Sequence, residues 1–268
     1  MTQVPDPPEL ARLAAVHRET LKQDRATTVE QLGRGADAVV RKTYHNRGHR
    51  WLQSFGRRSR ARREFDNLRL VAAAGVPCTE ALGWSERRRF GCVDDSTLVT
   101  RLLPHSRPLK QVLAELPRDR AFAVRRRLCA TVARLVATLH RAGVSWCTAM
   151  PRNVLVQGDP AAAQLAVCDV PAAFAIGRSL HGTRLGQIDL FDAVFSPSRR
   201  RDWSATERLR WLLAYHDGDR GAARQTWRRL DRRGVLRHDV TAALTMFWYL
   251  YVVLPLRLRR EPAPRSPR

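Results

Sequence analysis

Apolar positions along this chain switch between a two-residue and a 3.6-residue rhythm, and each switch marks an element. Leu10, Leu13, Ala14, Val16 and Leu21 recur at helical spacing and predict an amphipathic helix over residues 9–23. Thr27 to Tyr44 carries β-branched residues on both sides of Gly33-Arg34-Gly35, which predicts two strands joined at a turn. Leu68, Val71 and Ala72 return to the helical stripe, and Thr97 to Leu103 is β-branched until Pro104 ends it. Val124, Leu128, Val132, Leu135, Val136 and Leu139 form one face of a long helix that stops at His140 and Gly143. Val154-Leu155-Val156 and Leu165-Ala166-Val167-Cys168 are short strand candidates. Helices follow over 206–215 and 221–230, where Trp211, Leu212, Tyr215, Trp227 and Leu230 are expected in a core.

The strand-rich first half and helix-rich second half predict an α+β protein. Residues 240–256 break the rhythm by being almost wholly apolar or aromatic, with Arg257, Arg259 and Arg260 behind them. This run reaches only the lower limit of the ~17–25 residues that span a bilayer, and it contains Pro255. It is expected to be either an interfacial helix or a buried C-terminal helix. The Pro-rich residues 261–268 are expected to be disordered.

Charge adds a partner class. Among 268 residues, 48 are basic and 25 acidic, a formal net charge of +23. Such an excess suits a polyanion: nucleic acid, anionic headgroups or a phosphorylated glycolipid. Base composition of the coding genome would also raise arginine content. No nucleic-acid motif is visible and most tryptophans lie on apolar helical faces, so nucleic acid is not the expected partner. Arg57, Arg58, Arg60, Arg62 and Arg63 form the densest basic cluster, a solvated helix face or a dock for phosphates or a bilayer surface. The five cysteines form no C-x-x-C pair, which argues against a disulfide framework or zinc site. Met1 to Pro8 is not a signal peptide, so a reducing cytoplasmic location is expected.

Candidate chemistry lies in two places. The chain has three lysines, Lys22, Lys42 and Lys110, so arginine is its default cation. Lys42 falls on a strand after a Gly-x-Gly turn, where a kinase-type site needs a compact ammonium for nucleotide phosphates, and Glu64 falls on the next helix, where that lysine needs a carboxylate partner. Residues 145–155 then resemble the kinase loop H-R-D-L-x-x-x-N. Asn153 takes the metal-binding Asn position, Trp146 the His position and Thr148 the position of the catalytic Asp. Asp169, after the strand Leu165–Cys168, takes the position of the magnesium-binding carboxylate. A relocated base, Asp159 or Asp94, is the alternative to an absent one.

With these residues in frame, the chain resembles the lipopolysaccharide core kinases over roughly residues 33–230. The matching runs are Arg41-Lys42-Thr43-Tyr44, Ser59-Arg60-Ala61, Glu64 with Asn67-Leu68, Ala74-Gly75-Val76-Pro77, Leu98 to Leu103, Leu139 to Val144 and Asp189-Leu190. The resemblance implies a two-lobed protein-kinase-like fold, with a helical extension at 1–26, a small lobe at 27–103, a large lobe at 104–239 and an apolar helix at 240–260. It implies ATP and Mg2+ as cofactors, held by Lys42 and Glu64, by Asn153 and Asp169, by Gly33 and Gly35 over the phosphates, and by backbone at Thr100, Arg101 and Leu102 beside adenine. It also implies that Asp189 buttresses the catalytic loop. The expected acceptor is a Kdo or heptose hydroxyl of lipid-linked core sugar, with the protein on the inner face of the inner membrane through the basic cluster and the C-terminal helix. Loss of the base makes a nucleotide-binding pseudokinase the neighbouring expectation, and a basic, non-enzymatic polyanion-binding protein the expectation from another class.

Overall fold

Three helices and a sheet build the first lobe, in a computed structural model that describes residues 7–196 and 199–232. Helix α1 (Pro7–Val16) is followed by strands β1 (Arg18–Gln23), β2 (Thr27–Leu32) and β3 (Val39–His45), a short helix α2 (His49–Leu52), helix α3 (Arg60–Ala73), and strands β4 (Ala81–Arg89) and β5 (Cys92–Arg101). The five strands form one antiparallel sheet in the order β1-β2-β3-β5-β4. Lys42 therefore lies on an inner strand, paired with Val29 on one side and Leu98 on the other.

The expectation of a helix over 9–23 holds only to Val16. Arg18–Gln23 is a strand, exposed throughout, whose pairing with β2 extends the sheet. Across it, Arg18 and Arg41 both donate to Glu30, so one buried carboxylate ties β1, β2 and β3 together. The two faces of the sheet are covered by different helices. Leu10 and Leu13 of α1 pack with Leu32, Val39 and Val99. On the other face, Leu68 and Val71 of α3 join Tyr44, Trp84 and Leu98, because neighbouring strand residues point to opposite sides. Ser59 caps α3 by accepting from the Arg62 amide.

The second lobe is helical, with small sheets at its top. Strand β6 (Ser106–Pro108) and helices α4 (Leu109–Glu115) and α5 (Phe122–Arg141) lead to β7 (Val144–Ser145), β8 (Val154–Gln157), β9 (Gln164–Val167) and β10 (Phe174–Ala175). Helix α6 (Gly186–Leu190) continues as a π-helical turn, Phe191–Phe195, before α7 (Arg199–Asp202), α8 (Ala205–Tyr215) and α9 (Arg220–Arg232). The predicted helices over 122–139, 206–215 and 221–230 thus form, and Trp211, Leu212, Tyr215 and Leu230 are buried. Arg125 of α5 is buried against Glu207 of α8, and Glu207 also closes a capping box with Ser204. The lobes touch where Thr79 donates to the Val167 carbonyl and Val167 donates to that of Pro77. Residues 240–268 lie outside the described residues, and no described helix is long and apolar enough to cross a membrane.

These ion pairs set an acid limit. Burial works against ionisation of Glu30, Asp95 and Glu207, but hydrogen bonds from Arg41 and Arg18, from His45 and Arg87, and from Arg125 outweigh it and hold all three carboxyls low. Burial and His181 push the His216 imidazole down. A group with a lowered folded pKa stabilises above its unfolded value and loses that contribution as pH falls. The melting temperature is expected to be flat near neutrality, to fall gently below about pH 6.5 and to fall steeply below about pH 4.5. A melting series from pH 8 to 3 checks this; a maximum below pH 5 would refute it.

Candidate functional site

Three charged groups from distant parts of the chain meet between the lobes. Lys42 Nζ lies 3.1 and 3.3 Å from the Glu64 carboxylate oxygens and 2.5 Å from Asp169 Oδ1. β3 supplies the lysine. Glu64 sits on the buried stripe of α3, between Ala61 and Leu68 at helical spacing. Asp169 follows β9, whose pairing with β8 and whose contact with residues 77–79 fix where the strand ends. Asn67, one turn beyond Glu64, donates to the Val170 carbonyl at 2.8 Å and so holds α3 against the Asp169 segment.

Electrostatics follow from this crowding. Burial would lower the Lys42 pKa, but Glu64 first, then Tyr44 and Asp169, hold the ammonium above its ordinary value. Burial likewise opposes ionisation of Asp169, and Lys42, helped by Arg60 and Arg152, still pulls its carboxyl below the usual range. Glu64 moves the other way: burial and the Asp169 charge raise it against the pull of Lys42. The lysine is thus a fixed cation between two carboxylates. Asp169, the more open of the two, can turn to a new cation.

The loop beneath is tightly constrained. Thr148 Oγ1 donates to the Asp169 carbonyl at 3.3 Å, and Asn153 Nδ2 donates to the Thr148 carbonyl at 2.9 Å. The Asn153 carbonyl accepts from the Cys168 amide. Thr148, Asn153 and Asp169 are therefore linked through hydrogen bonds. Trp146 is fully buried, and its indole N–H has no partner among the described residues, so it fills space where the frame has a histidine. Asp189 holds the loop from below. It accepts from the Trp146 amide at 2.7 Å, the Cys147 amide at 2.6 Å and Ser145 Oγ at 3.1 Å, with His140 Nε2 at 3.0 Å. Cys147 and Asp169 both have positive φ, 59° and 57°, which is costly for cysteine and tolerable for aspartate.

Other expected positions fare differently. Gly33 donates its N–H to the His17 carbonyl, and a Cβ there would meet Leu13 at 2.8 Å, so α1 and not a phosphate accounts for this glycine. Gly35, at φ 71°, has open space where a side chain would be. Thr100, Arg101 and Leu102 lie at the end of β5, but the Arg101 and Leu102 amides are bonded to the Glu80 and Ala38 carbonyls and cannot donate to a base. Neither proposed substitute base reaches the site: Asp94 is bonded to Trp51, at the far end of β5, and Asp159 caps the β8–β9 turn through the Ala161 amide. Burial, then Asp169, pushes the Cys168 thiol up to about 12, and burial also pushes Cys147 well up, so neither is a reactive thiolate near neutral pH.

Tyr44 and Arg60 were not among the expected site residues. The Tyr44 hydroxyl donates to Glu64, and the Arg60 guanidinium lies 4.5 Å from the Tyr44 ring centre. The two-residue spacing of Lys42 and Tyr44 was the available signal, since strand residues two apart share a face.

Residues 14–190 match the lipopolysaccharide kinase (Kdo/WaaP) family. The chain belongs to that family. In fold, this Kdo/WaaP-family chain is similar to the solved structure of WaaP in complex with acyl carrier protein, at TM-score 0.60 and 18% identity, over 87% of this chain and 98% of that one. No curated protein matches the sequence. The kinase-like fold expected from the loop frame is therefore the observed one.

In this Kdo/WaaP-family chain the oxygen donors of Asp169 and Asn153 suit a hard cation such as Mg2+, which takes few protein ligands and completes its shell with water and phosphate. The fit is consistent with the donors present: Asn153 has its amide nitrogen bonded to the Thr148 carbonyl, which leaves its amide oxygen as the available donor.

Proposed function

We propose that this chain binds Mg–ATP between its lobes and transfers the γ-phosphate, slowly, to a Kdo or heptose hydroxyl of lipid-linked core oligosaccharide. The observation that carries this is the Lys42 ammonium placed between Glu64 and Asp169. When bound, magnesium neutralises phosphate charge, the main requirement of a loose phosphoryl-transfer transition state. Lys42 pairs with the α- and β-phosphates, Glu64 keeps Lys42 in place, and Asn153 and Asp169 supply the metal-facing oxygens. Thr148 orients the acceptor hydroxyl but cannot take its proton, because its own hydroxyl is no base and already donates to the Asp169 carbonyl. The protein works at the inner face of the inner membrane, where such an acceptor is made accessible.

Basic residues contribute to that location only in part. Arg58 is paired with Asp66, Arg60 lies on Tyr44 and Arg62 lies on the Trp84 ring, so three of the five arginines in 57–63 also brace the lobe. The apolar run 240–256 supplies the other membrane contact of this reading.

Thr148→Asp is the direct test. A carboxylate at this position contributes typically ~10²–10⁴-fold as a general base. Phosphate transfer from γ-labelled ATP to a Kdo-terminated lipid acceptor is expected to rise by about 10²-fold in this variant. The buried Trp146 and the missing carboxylate favour a second reading, a nucleotide-binding pseudokinase at the membrane surface. ATP binding without transfer in both wild type and Thr148→Asp would select it.

A further inference from the structure

Among the described residues, three of the four most exposed large apolar side chains gather at one end of the first sheet, the fourth being Val16 at the end of α1. Phe90 is 82% exposed, Phe55 67% and Leu52 64%. Phe90 and Gly91 are the two residues of the β4–β5 hairpin turn, closed by the Arg89–Cys92 pair. Both have positive φ, 52° and 79°. Two-residue turns of this kind favour Asn, Asp or Gly at the first position, and a bulky aromatic there is strained. Strain of this sort persists where something other than folding selects the residue. With the ring held out in solvent, packing within the chain does not account for it.

Phe55 lies beside that turn. A Cβ on Gly91 would meet the Phe55 ring at 2.7 Å, so Gly91 makes room for the ring as well as for the turn. The segment carrying Leu52 and Phe55 is pinned to the hairpin. Gly56 donates to the Gly91 carbonyl, Val93 donates to Ser54 Oγ at 2.8 Å, and Trp51 Nε1 donates to Asp94 at 2.6 Å. The Arg89 guanidinium lies 5.5 Å from the Trp51 ring centre, and Arg88 donates to the carbonyls of Arg57 and Gly91. The apolar tips therefore stand on a rigid base.

That base is cationic. Residues 47–58 and 86–95 hold seven arginines against three carboxylates, Glu86, Asp94 and Asp95. Apolar tips ringed by arginines match the composition of surfaces that enter the headgroup layer of an anionic bilayer. A second copy of this chain is disfavoured, since each copy carries a formal net charge of +23.

We propose that the β4–β5 turn and the segment 48–56 form a membrane-contacting end of the small lobe, which inserts Phe90, flanked by Phe55 and Leu52, into an anionic lipid surface. This deepens the membrane reading above, but its observations are independent of residues 240–268 and of the phosphotransfer site.

Sedimentation of the full chain with phosphatidylglycerol-containing vesicles, against phosphatidylcholine vesicles, tests it. Wild type is expected to pellet with the anionic vesicles only. Phe90→Asn, and separately the double variant Leu52→Ser with Phe55→Ser, are expected to weaken vesicle partition about tenfold. Phe90→Asn is expected to keep or raise the melting temperature, because Asn tolerates positive φ. Vesicle binding at wild-type strength in both variants, but lost in a Phe247→Ser, Trp248→Ser chain, would overturn this proposal and leave the broader membrane reading standing. Failure of wild type to bind anionic vesicles would overturn both. Phe90-dependent self-association without lipid binding would replace the membrane with a second copy.

Discussion

Replacing Asp189 by alanine is expected to cost about 3–5 kcal/mol of stability and to abolish nucleotide binding with it. The carboxylate is fully buried and accepts from two backbone amides and one hydroxyl, with His140 beside it. Alanine would leave the Trp146 and Cys147 amides buried without acceptors, at about 1–3 kcal/mol each. It would also release Cys147, whose positive φ the 2.6 Å hydrogen bond to Asp189 helps to hold. The loop that presents Thr148 and Asn153 would then relax. Asn at this position keeps the shape but turns one acceptor into a donor facing an N–H, so it should recover little. Urea unfolding of wild type, Asp189→Ala and Asp189→Asn measures the loss. A cost below about 1 kcal/mol for alanine would show that the loop is held by other contacts.

Mg–ATP at about a hundred times its dissociation constant should stabilise wild type by about 2.7 kcal/mol, a rise of roughly 5–10 °C in melting temperature. Asp169→Ala should erase that rise and lower the unliganded melting temperature only modestly: alanine at this positive φ costs about 1 kcal/mol, while Lys42 keeps Glu64 as its partner. Lys42→Met should behave differently. It leaves Glu64 and Asp169 close together with no cation between them, and removing one partner of a buried charge pair costs about 3–5 kcal/mol. Glu64, held above its ordinary value by burial, offers partial relief through protonation, so the destabilisation should shrink as pH falls. Differential scanning fluorimetry of the three proteins, with and without Mg–ATP, separates these effects. An equal shift in wild type and Asp169→Ala would show that Asp169 does not take part in nucleotide binding.

Much of the site was legible because its residues interrupt a pattern. Lys42 stands out among the chain's arginines, and Glu64 is a carboxylate on the apolar stripe of a helix that buries Ala61, Leu68 and Val71. A charge in such a place needs a partner, and the kinase-type frame, which wants a glutamate on the helix after the lysine strand, names the pair. Asn153 and Asp169 followed from the resemblance of residues 145–155 to the kinase loop, with a short strand after the one and another before the other. The glycine and hinge positions were less legible. Gly33 and the Arg101 and Leu102 amides occupy the expected places in the chain, yet their donors are bonded to backbone carbonyls from other elements. Local pattern identifies a turn or a strand end, but not which of its hydrogen-bonding groups are already satisfied by distant residues.

The sequence by itself determined the long helices of the second lobe, the apolar stripes of α3, α5 and α8, and the strand bearing Lys42, since side-chain period and residue type are local properties. Tertiary structure alone decided that Arg18–Gln23 is a strand: RETLKQ carries no alternating apolar pattern, and only backbone pairing with β2 and the shared Glu30 make it one. It also decided that Asp169 meets Lys42 from 127 residues away, that Asp189 closes under the loop, and that Phe55 lies against the turn bearing Phe90. These are long-range contacts whose free energy depends on how distant elements are juxtaposed, and no local periodicity encodes that.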